Sequence, residues 1–136
     1  MISMDIRHDQ RIKIIQELYR NTFFAKDSPP SLAVAKTRDI IENATQINDY
    51  IKKYAQKFPI EKIAKVDLAI LQLAVYELVF EKKEPPKVII NEAIELAKEM
   101  GSGRSFAFIN AVLGKIYQQH YAGQPKKTWR NYPYPI

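Results

Sequence analysis

The stretch from Asp67 to Lys98, DLAILQLAVYELVFEKKEPPKVIINEAIELAK, constrains this chain more than any other. Ile70, Leu71, Ala74, Val75, Leu78 and Val79 recur at three- and four-residue spacings, and Ile90, Ala93, Ile94 and Ala97 do the same further on. That spacing predicts two helices. Asp67 is placed to cap the first of them with its carboxylate. Glu81-Lys82-Lys83-Glu84 is expected to end that helix in solvent. Pro85-Pro86 cannot continue it, because proline offers no amide hydrogen. Gly101 is a natural stop for the second helix. The first limb is apolar around so much of its circumference that it is expected to be the buried centre of a bundle.

The flanking sequence supplies the rest of such a bundle. A first helix is expected from Asp5 or His8 to Phe24, with Ile12, Ile15, Leu18, Tyr19, Thr22 and Phe23 as its apolar stripe. Arg7 and Arg11 are four apart and project from the same side of it. Lys26 to Ser31 reads as a loop. Thr37, Ile40, Ala44, Ile47, Ile51, Tyr54 and Phe58 then keep helical spacing, predicting one helix of about 25 residues from Leu32 to Lys57 with a narrow seam. Pro59 ends it, and Ile60 to Ala64 could form one further turn. Gly101-Ser102-Gly103 is a hinge, and Ser105 to His120 is the last helix, with Phe106, Ile109, Leu113 and Ile116 buried. No strand-like alternation and no repeat occurs. The expected fold is all-α, a single-domain helical bundle over residues 1–121.

Residues 122–136, AGQPKKTWRNYPYPI, are a non-helical C-terminal tail of a different kind. Its prolines exclude a helix, and Trp129, Tyr132 and Tyr134 are too apolar for an ordinary disordered end. Two uses fit: packing back onto the domain, the commoner fate of large rings, or stacking against nucleic-acid bases.

At 136 residues the chain is long enough to bury a core without metals or disulfides. It has no cysteine, which excludes a disulfide framework and thiolate chemistry. No apolar run is long enough to span a membrane and no apolar leader core opens the chain, so a cytoplasmic protein is expected. Charge is distributed unevenly. Residues 100–136 carry Arg104, Lys115, Lys126, Lys127 and Arg130 with no acid, residues 1–26 hold five bases against three acids, and residues 27–99 hold eleven against twelve. If the ends meet, they form one positive face suited to a polyanion; the alternative is a solvated surface with excess lysine.

Catalytic constellations are not assembled. His8 and His120 lie in different helices with no acidic orienting group near in sequence. Glu77, Glu92 and Glu95 read as glutamates for solubility and local pairing. GSGRS joins two helices, so it reads as a helix stop and start more than as a phosphate loop. No enzyme activity, metal or cofactor is expected. Glu77 remains notable, because LAVYELVF leaves little room for a buried charge. It either pairs with a lysine at the rim or faces a protein partner.

The strings AILQLAVYEL, PPKVIINEAIELAK and FINAVLGKI, at their spacing here, resemble the signature of the NusB family of transcription antitermination factors, and the similarity runs from residue 7 to about 118. The resemblance implies a helical RNA-binding domain. It implies that Arg7 and Arg11, with His8 between them, contact single-stranded boxA-type RNA, joined by Lys115 if the first and last helices lie side by side. It implies that Glu77, with Tyr76, meets a small-subunit ribosomal protein, NusE, and that the assembly joins the transcription elongation complex to suppress premature termination in ribosomal RNA operons. A homodimeric interaction scaffold without RNA binding is the alternative. The same fold also occurs fused to rRNA methyltransferases, for which 136 residues leave no space. Three positions depart from the family pattern: Asp9, where arginine is frequent; Gly114, where aspartate is common near the RNA surface; and Gln72, where arginine is usual and an interhelical or surface contact is expected to be lost. Asn91, in INEA, is expected to bond at a helix end or between helices; for Asn110, in FIN, that reading stays open.

Overall fold

The computed structural model describes residues 4–24, 32–57 and 59–121, and all regular structure among them is helical. The order is α1 (Met4–Asn21), α2 (Ala35–Glu42), α3 (Ala44–Tyr54), a 3-10 turn (Ile60–Lys62), α4 (Lys65–Val75), α5 (Pro86–Met100) and α6 (Ser105–His120). The expected all-α bundle is therefore what forms. The tail from residue 122 and the loop expected at Lys26–Ser31 lie outside the described residues.

Helix α4 is the centre, packing on α1, α3, α5 and α6. Ala69, Ile70, Leu71, Leu73, Ala74 and Val75 are all buried, as an apolar cylinder must be. They meet Ile14, Ile15 and Leu18 of α1, Ile47 and Ile51 of α3, Ile89 to Ala97 of α5 at its apolar positions, and Ile109, Leu113 and Ile116 of α6. Burying each large aliphatic side chain contributes roughly 1.5–3 kcal/mol, so this layer is the main source of stability.

The end of α4 departs from a plain helix. The chain continues through Tyr76–Glu81 in the wider π pitch, and the Lys82 amide closes it by donating to the Glu77 carbonyl at 2.9 Å. Lys82 then takes a left-handed conformation, φ 55° and ψ 33°, which turns the chain out of the helix. Pro86 opens α5, where its missing amide hydrogen costs nothing. Glu81 and Glu84, expected in solvent, are instead drawn inward by cations of α1 and α2.

Other expectations shift for local reasons. The long helix expected over 32–57 breaks at Asn43, whose side-chain amide donates to the Asp39 carbonyl at 2.8 Å. Asparagine competes in this way with the regular backbone ladder. Asp67 is the third residue of α4, not its cap, which is Ala64. Tyr19, Phe23 and Phe106 are 39%, 61% and 44% exposed. Helix α1 has already ended at Asn21, so helical spacing no longer turns Phe23 inward. Phe106 lies in the first turn of α6 under the Lys98 ammonium. Gln72 does make an interhelical contact, donating to Asn48 of α3 at 3.0 Å. The Asn110 Oδ1 atom is buried with no hydrogen-bond partner among the described residues.

Gly101 joins α5 to α6 at close quarters. A Cβ there would stand 2.4 Å from Ser105 Oγ and 2.8 Å from the Ala97 carbonyl oxygen. Ser105 Oγ cannot simply swing away, because it accepts the Ser102 amide at 2.9 Å. Gly101→Ala is therefore expected to destabilise the bundle by about 1–3 kcal/mol, read as a lower urea midpoint at unchanged slope.

Candidate functional site

Arg11 and Glu77 meet inside the bundle. Arg11 lies on the same helical face as Ile14, Ile15 and Leu18, and Glu77 on the core side of the π segment that continues α4, so packing α1 against them buries both, to 4% and 3% exposure. The guanidinium grips the carboxylate with two bonds, Nε to Oε1 at 3.0 Å and Nη2 to Oε2 at 2.9 Å. Lys36 of α2 donates to Glu77 at 2.8 Å and to Glu81 at 2.9 Å. Glu84 accepts from Arg11 and, at 2.9 Å, from Arg7. The π segment thus presents its carboxylates to two other helices.

His8 extends the cluster onto α5. Its Nδ1 lies 2.8 Å from Glu92 and its Nε2 2.9 Å from Glu99. With a carboxylate at each ring nitrogen, both must donate, which only the imidazolium can do. These bonds to Glu92 and Glu99 raise the His8 pKa above its ordinary 6.5. Burial opposes the charge on Arg11, but Glu77, Glu84 and Glu92 outweigh it and raise its pKa. Lys36 is raised in the same way, burial being overcome by Glu77 and Glu81. Arg11 and Lys36 therefore keep their charge despite burial.

A second carboxylate of α1 organises α2. Glu17, also buried, accepts the Ala33 amide at 2.8 Å and the Val34 amide at 3.3 Å, just before α2 begins. No side chain at the cap position itself bonds there. Glu17 thus serves as a remote cap.

These contacts decide where the residues singled out by sequence stand. Arg7, His8, Arg11 and Glu77 come together, but as partners of one another through shared glutamates. The outer part of Arg7, 37% exposed by its side chain, is the part of this group most open to solvent. Tyr76 is half-buried and stacks on Phe80, with ring centroids 6.1 Å apart. Lys115 stands elsewhere. Helix α1 packs on α4 and α2, whereas α6 packs on α5, α4 and α3, so the first and last helices are not side by side. Asp9 is exposed, and Gly114 is buried within α6, not at the surface.

Four exposed bases gather on another face. Lys57, Lys62, Arg104 and Lys115 surround Phe108 at the end of α3 and the starts of α4 and α6. Phe108 lines two adjoining clefts there, of about 330 and 130 Å³. The acid-free C-terminal third supplies two of these bases. Sequence reasoning did not place Lys57 or Lys62 with them, because only the fold brings the 3-10 turn beside α6. Among the described residues no group of carboxylates and histidines is arranged to hold a metal ion, and no helix is long and apolar enough to cross a membrane.

A helical bundle pinned by an internal ion cluster, with a group of exposed bases around an aromatic ring on one outer face, is the framework of a binding module. The profile of the NusB family matches residues 2–118, and the chain belongs to that family. It is 46% identical over 82 residues to the transcription antitermination protein NusB of Clostridium tetani, covering 60% of this chain and 54% of that protein. With the NusB of Thermotoga maritima it shares 43% over 83 residues, 61% of this chain and 58% of the relative. The chain thus spans about half the length of the curated relatives it matches. A solved structure of T. maritima NusB superposes with a TM-score of 0.70 at 30% identity, covering 91% of this chain and 96% of that one. The fold also recurs, at TM-score 0.64 and 22% identity over 86% of this chain and 99% of the other, in a crystal structure of antitermination factors NusB and NusE with dsRNA.

Because the folded His8 pKa lies above 6.5, its stabilising contribution is fully present below pH 6.5 and is lost as pH rises through the folded value. His8→Gln should therefore lower the melting temperature at pH 6 and converge with wild type at higher pH. A constant offset at every pH would show that His8 acts by packing alone.

Proposed function

We propose that this chain is an RNA-binding transcription antitermination factor that works with NusE on boxA-type RNA of ribosomal RNA operons, within the elongation complex. The observation that carries this reading is membership of the NusB family across residues 2–118. It is supported by a solved structure of the same fold that contains NusB, NusE and dsRNA. The mechanism is recognition without bond chemistry: bases position the strand by its phosphates, and side chains facing unstacked bases specify it. Lys115, with its neighbours around Phe108, contacts phosphate. Arg7 contacts it from α1. Arg11 and His8 hold α1 in place through Glu77, Glu84, Glu92 and Glu99 and act on RNA only through that helix. Tyr76 meets NusE directly, and the buried Glu77 fixes the π segment that presents it. Two linked binding surfaces, one on each protein, make the pair bind RNA more tightly than either alone.

The test is RNA titration by fluorescence anisotropy, with and without NusE, over a range of salt concentrations. Wild type with NusE should bind boxA-type RNA more tightly than alone. Lys115→Ala should flatten the log–log salt dependence by about 0.7, the loss of one single-strand phosphate contact. Absence of RNA binding in both conditions, with a homodimer in its place, would overturn the proposal.

A further inference from the structure

A row of aromatic rings crosses the surface where the end of α6 meets α3 and the π segment. Tyr76 stacks on Phe80 with centroids 6.1 Å apart, Phe80 meets Tyr50 edge-on at 6.4 Å, and Tyr50 meets His120 edge-on at 6.3 Å. His120 in turn meets Tyr121 at 5.6 Å. Tyr76, Phe80, Tyr50 and Tyr121 are half-buried against the core and His120 is exposed, so the row rests on the bundle and stays open to solvent above it. The Tyr121 hydroxyl donates to the Leu78 carbonyl at 3.1 Å, which ties the end of α6 to the π segment. Asp39 and Glu81 flank the other end of the row: after burial, their charges push the Tyr76 phenol up, with Lys36 opposing them. Glu81 is engaged by Lys36, whereas Asp39 is exposed and in no ion pair among the described residues.

The sequence that follows Tyr121 has chemistry to match. Residues 122–136 carry Lys126, Lys127 and Arg130 with no acidic side chain, and they include Trp129 and Tyr132-Pro133-Tyr134-Pro135. Proline restricts its own φ, and the tyrosine before each proline is steered away from the helical region. Such a sequence favours the polyproline helix, which costs little to order and which other domains bind on surfaces lined with aromatic rings. Trp129 is eight residues beyond Tyr121, a reach of roughly 25 Å at full extension. The row from His120 to Tyr76 takes three steps, of 6.3, 6.4 and 6.1 Å. The segment is long enough to span it, and attachment at Tyr121 holds it at the high local concentration of a short linker. RNA suits this face poorly, since Asp39 and Glu81 repel its phosphates. The same segment of a second copy lacks the advantage of attachment.

We propose that residues 129–135 dock on the Tyr76–Phe80–Tyr50–His120 row of their own domain and screen Tyr76 from NusE. The prolines and tyrosines lie against the rings, and Arg130 faces Asp39. The docking stands on the rings, the acids and the sequence of the segment; the screening rests on the reading above in which Tyr76 meets NusE. NusE then binds only when the segment leaves, so docking for about nine-tenths of the time lowers its apparent affinity roughly tenfold.

Trp129 is the chain's single tryptophan, so its fluorescence reports on the segment alone. In the full chain, without NusE or RNA, Trp129 should be shielded from acrylamide at every protein concentration. Tyr132→Ala combined with Tyr134→Ala should expose it, and so should Asp39→Lys at its exposed position, with circular dichroism confirming each fold. In titrations the double variant should bind NusE roughly tenfold more tightly than wild type. Free quenching of Trp129 in wild type, or shielding that survives either variant, would overturn the docking and leave the NusE reading standing. So would shielding that appears only as dimers form or as boxA-type RNA is added. Shielding lost in the double variant with no gain in NusE affinity would overturn the screening. Tyr76→Ala then separates the causes: weaker NusE binding keeps the Tyr76 contact, and unchanged binding removes it. Absence of NusE binding in every form would overturn the NusE reading and the screening together, while Trp129 still decides the docking.

Discussion

The Arg11–Glu77 pair is the contact on which the rest of the arrangement depends. Two charges at 4% and 3% exposure can persist only with good geometry and hydrogen bonding of most of their polar atoms; Arg11 Nη1 has no hydrogen-bond partner among the described residues and lies 4.0 Å from Glu92. The two-bond grip supplies the geometry, and Lys36, Glu84 and His8 with its two glutamates supply the surroundings. Such a pair adds little stability relative to a well-packed apolar substitute, but it is costly to break from one side. Its consequence here is register. Apolar packing would let α1 slide along α4 with modest penalty, whereas one guanidinium fits one carboxylate. The π segment and the left-handed turn at Lys82 follow from the same requirement, since they carry Glu77, Glu81 and Glu84 to the cations of α1 and α2.

This cluster divides the protein's charge by use. Arg11, Lys36 and His8 are committed inward, and Arg7 partly so, which removes most of the positive field expected around the N-terminal helix. Among the bases that face solvent are Lys57, Lys62, Arg104 and Lys115 around Phe108. The inner charges set the helices, and the outer ones are left available for a polyanion. Counting bases along the sequence cannot separate these two populations, because the distinction lies in which carboxylates the fold brings within 3 Å.

Much of the fold was legible because its signals are local. The apolar circumference of α4, the prolines before α5, the glycine after it and the spacing along α6 each act within one or two turns. The Asn43 break was missed because an asparagine inside a helical pattern gives no sign of where its side chain will bond. The site was less legible because its contacts join residues 16 to 91 apart in sequence. One signal was present: Arg11 and Glu77 both fall on the apolar stripes of their helices, Arg11 before Ile14 and Ile15, Glu77 beside Leu78. Two opposite charges on two core faces predict a buried pair. Reading Arg7 and Arg11 as sharing a side was sound; that side faces inward at Arg11. The remote cap from Glu17 and the gathering of Lys57 and Lys62 beside α6 required the structure.

The central claim is that Arg11 and Glu77 act as one unit, and a double-mutant cycle in chemical denaturation tests it most directly. Arg11→Met and Glu77→Gln should each destabilise by about 3–5 kcal/mol, because each leaves buried charge uncompensated. The double variant should lose less than the sum, with a coupling energy of about 0.5–3 kcal/mol or above. Strictly additive losses would contradict the account, since the two residues would then hold α1 and α4 independently.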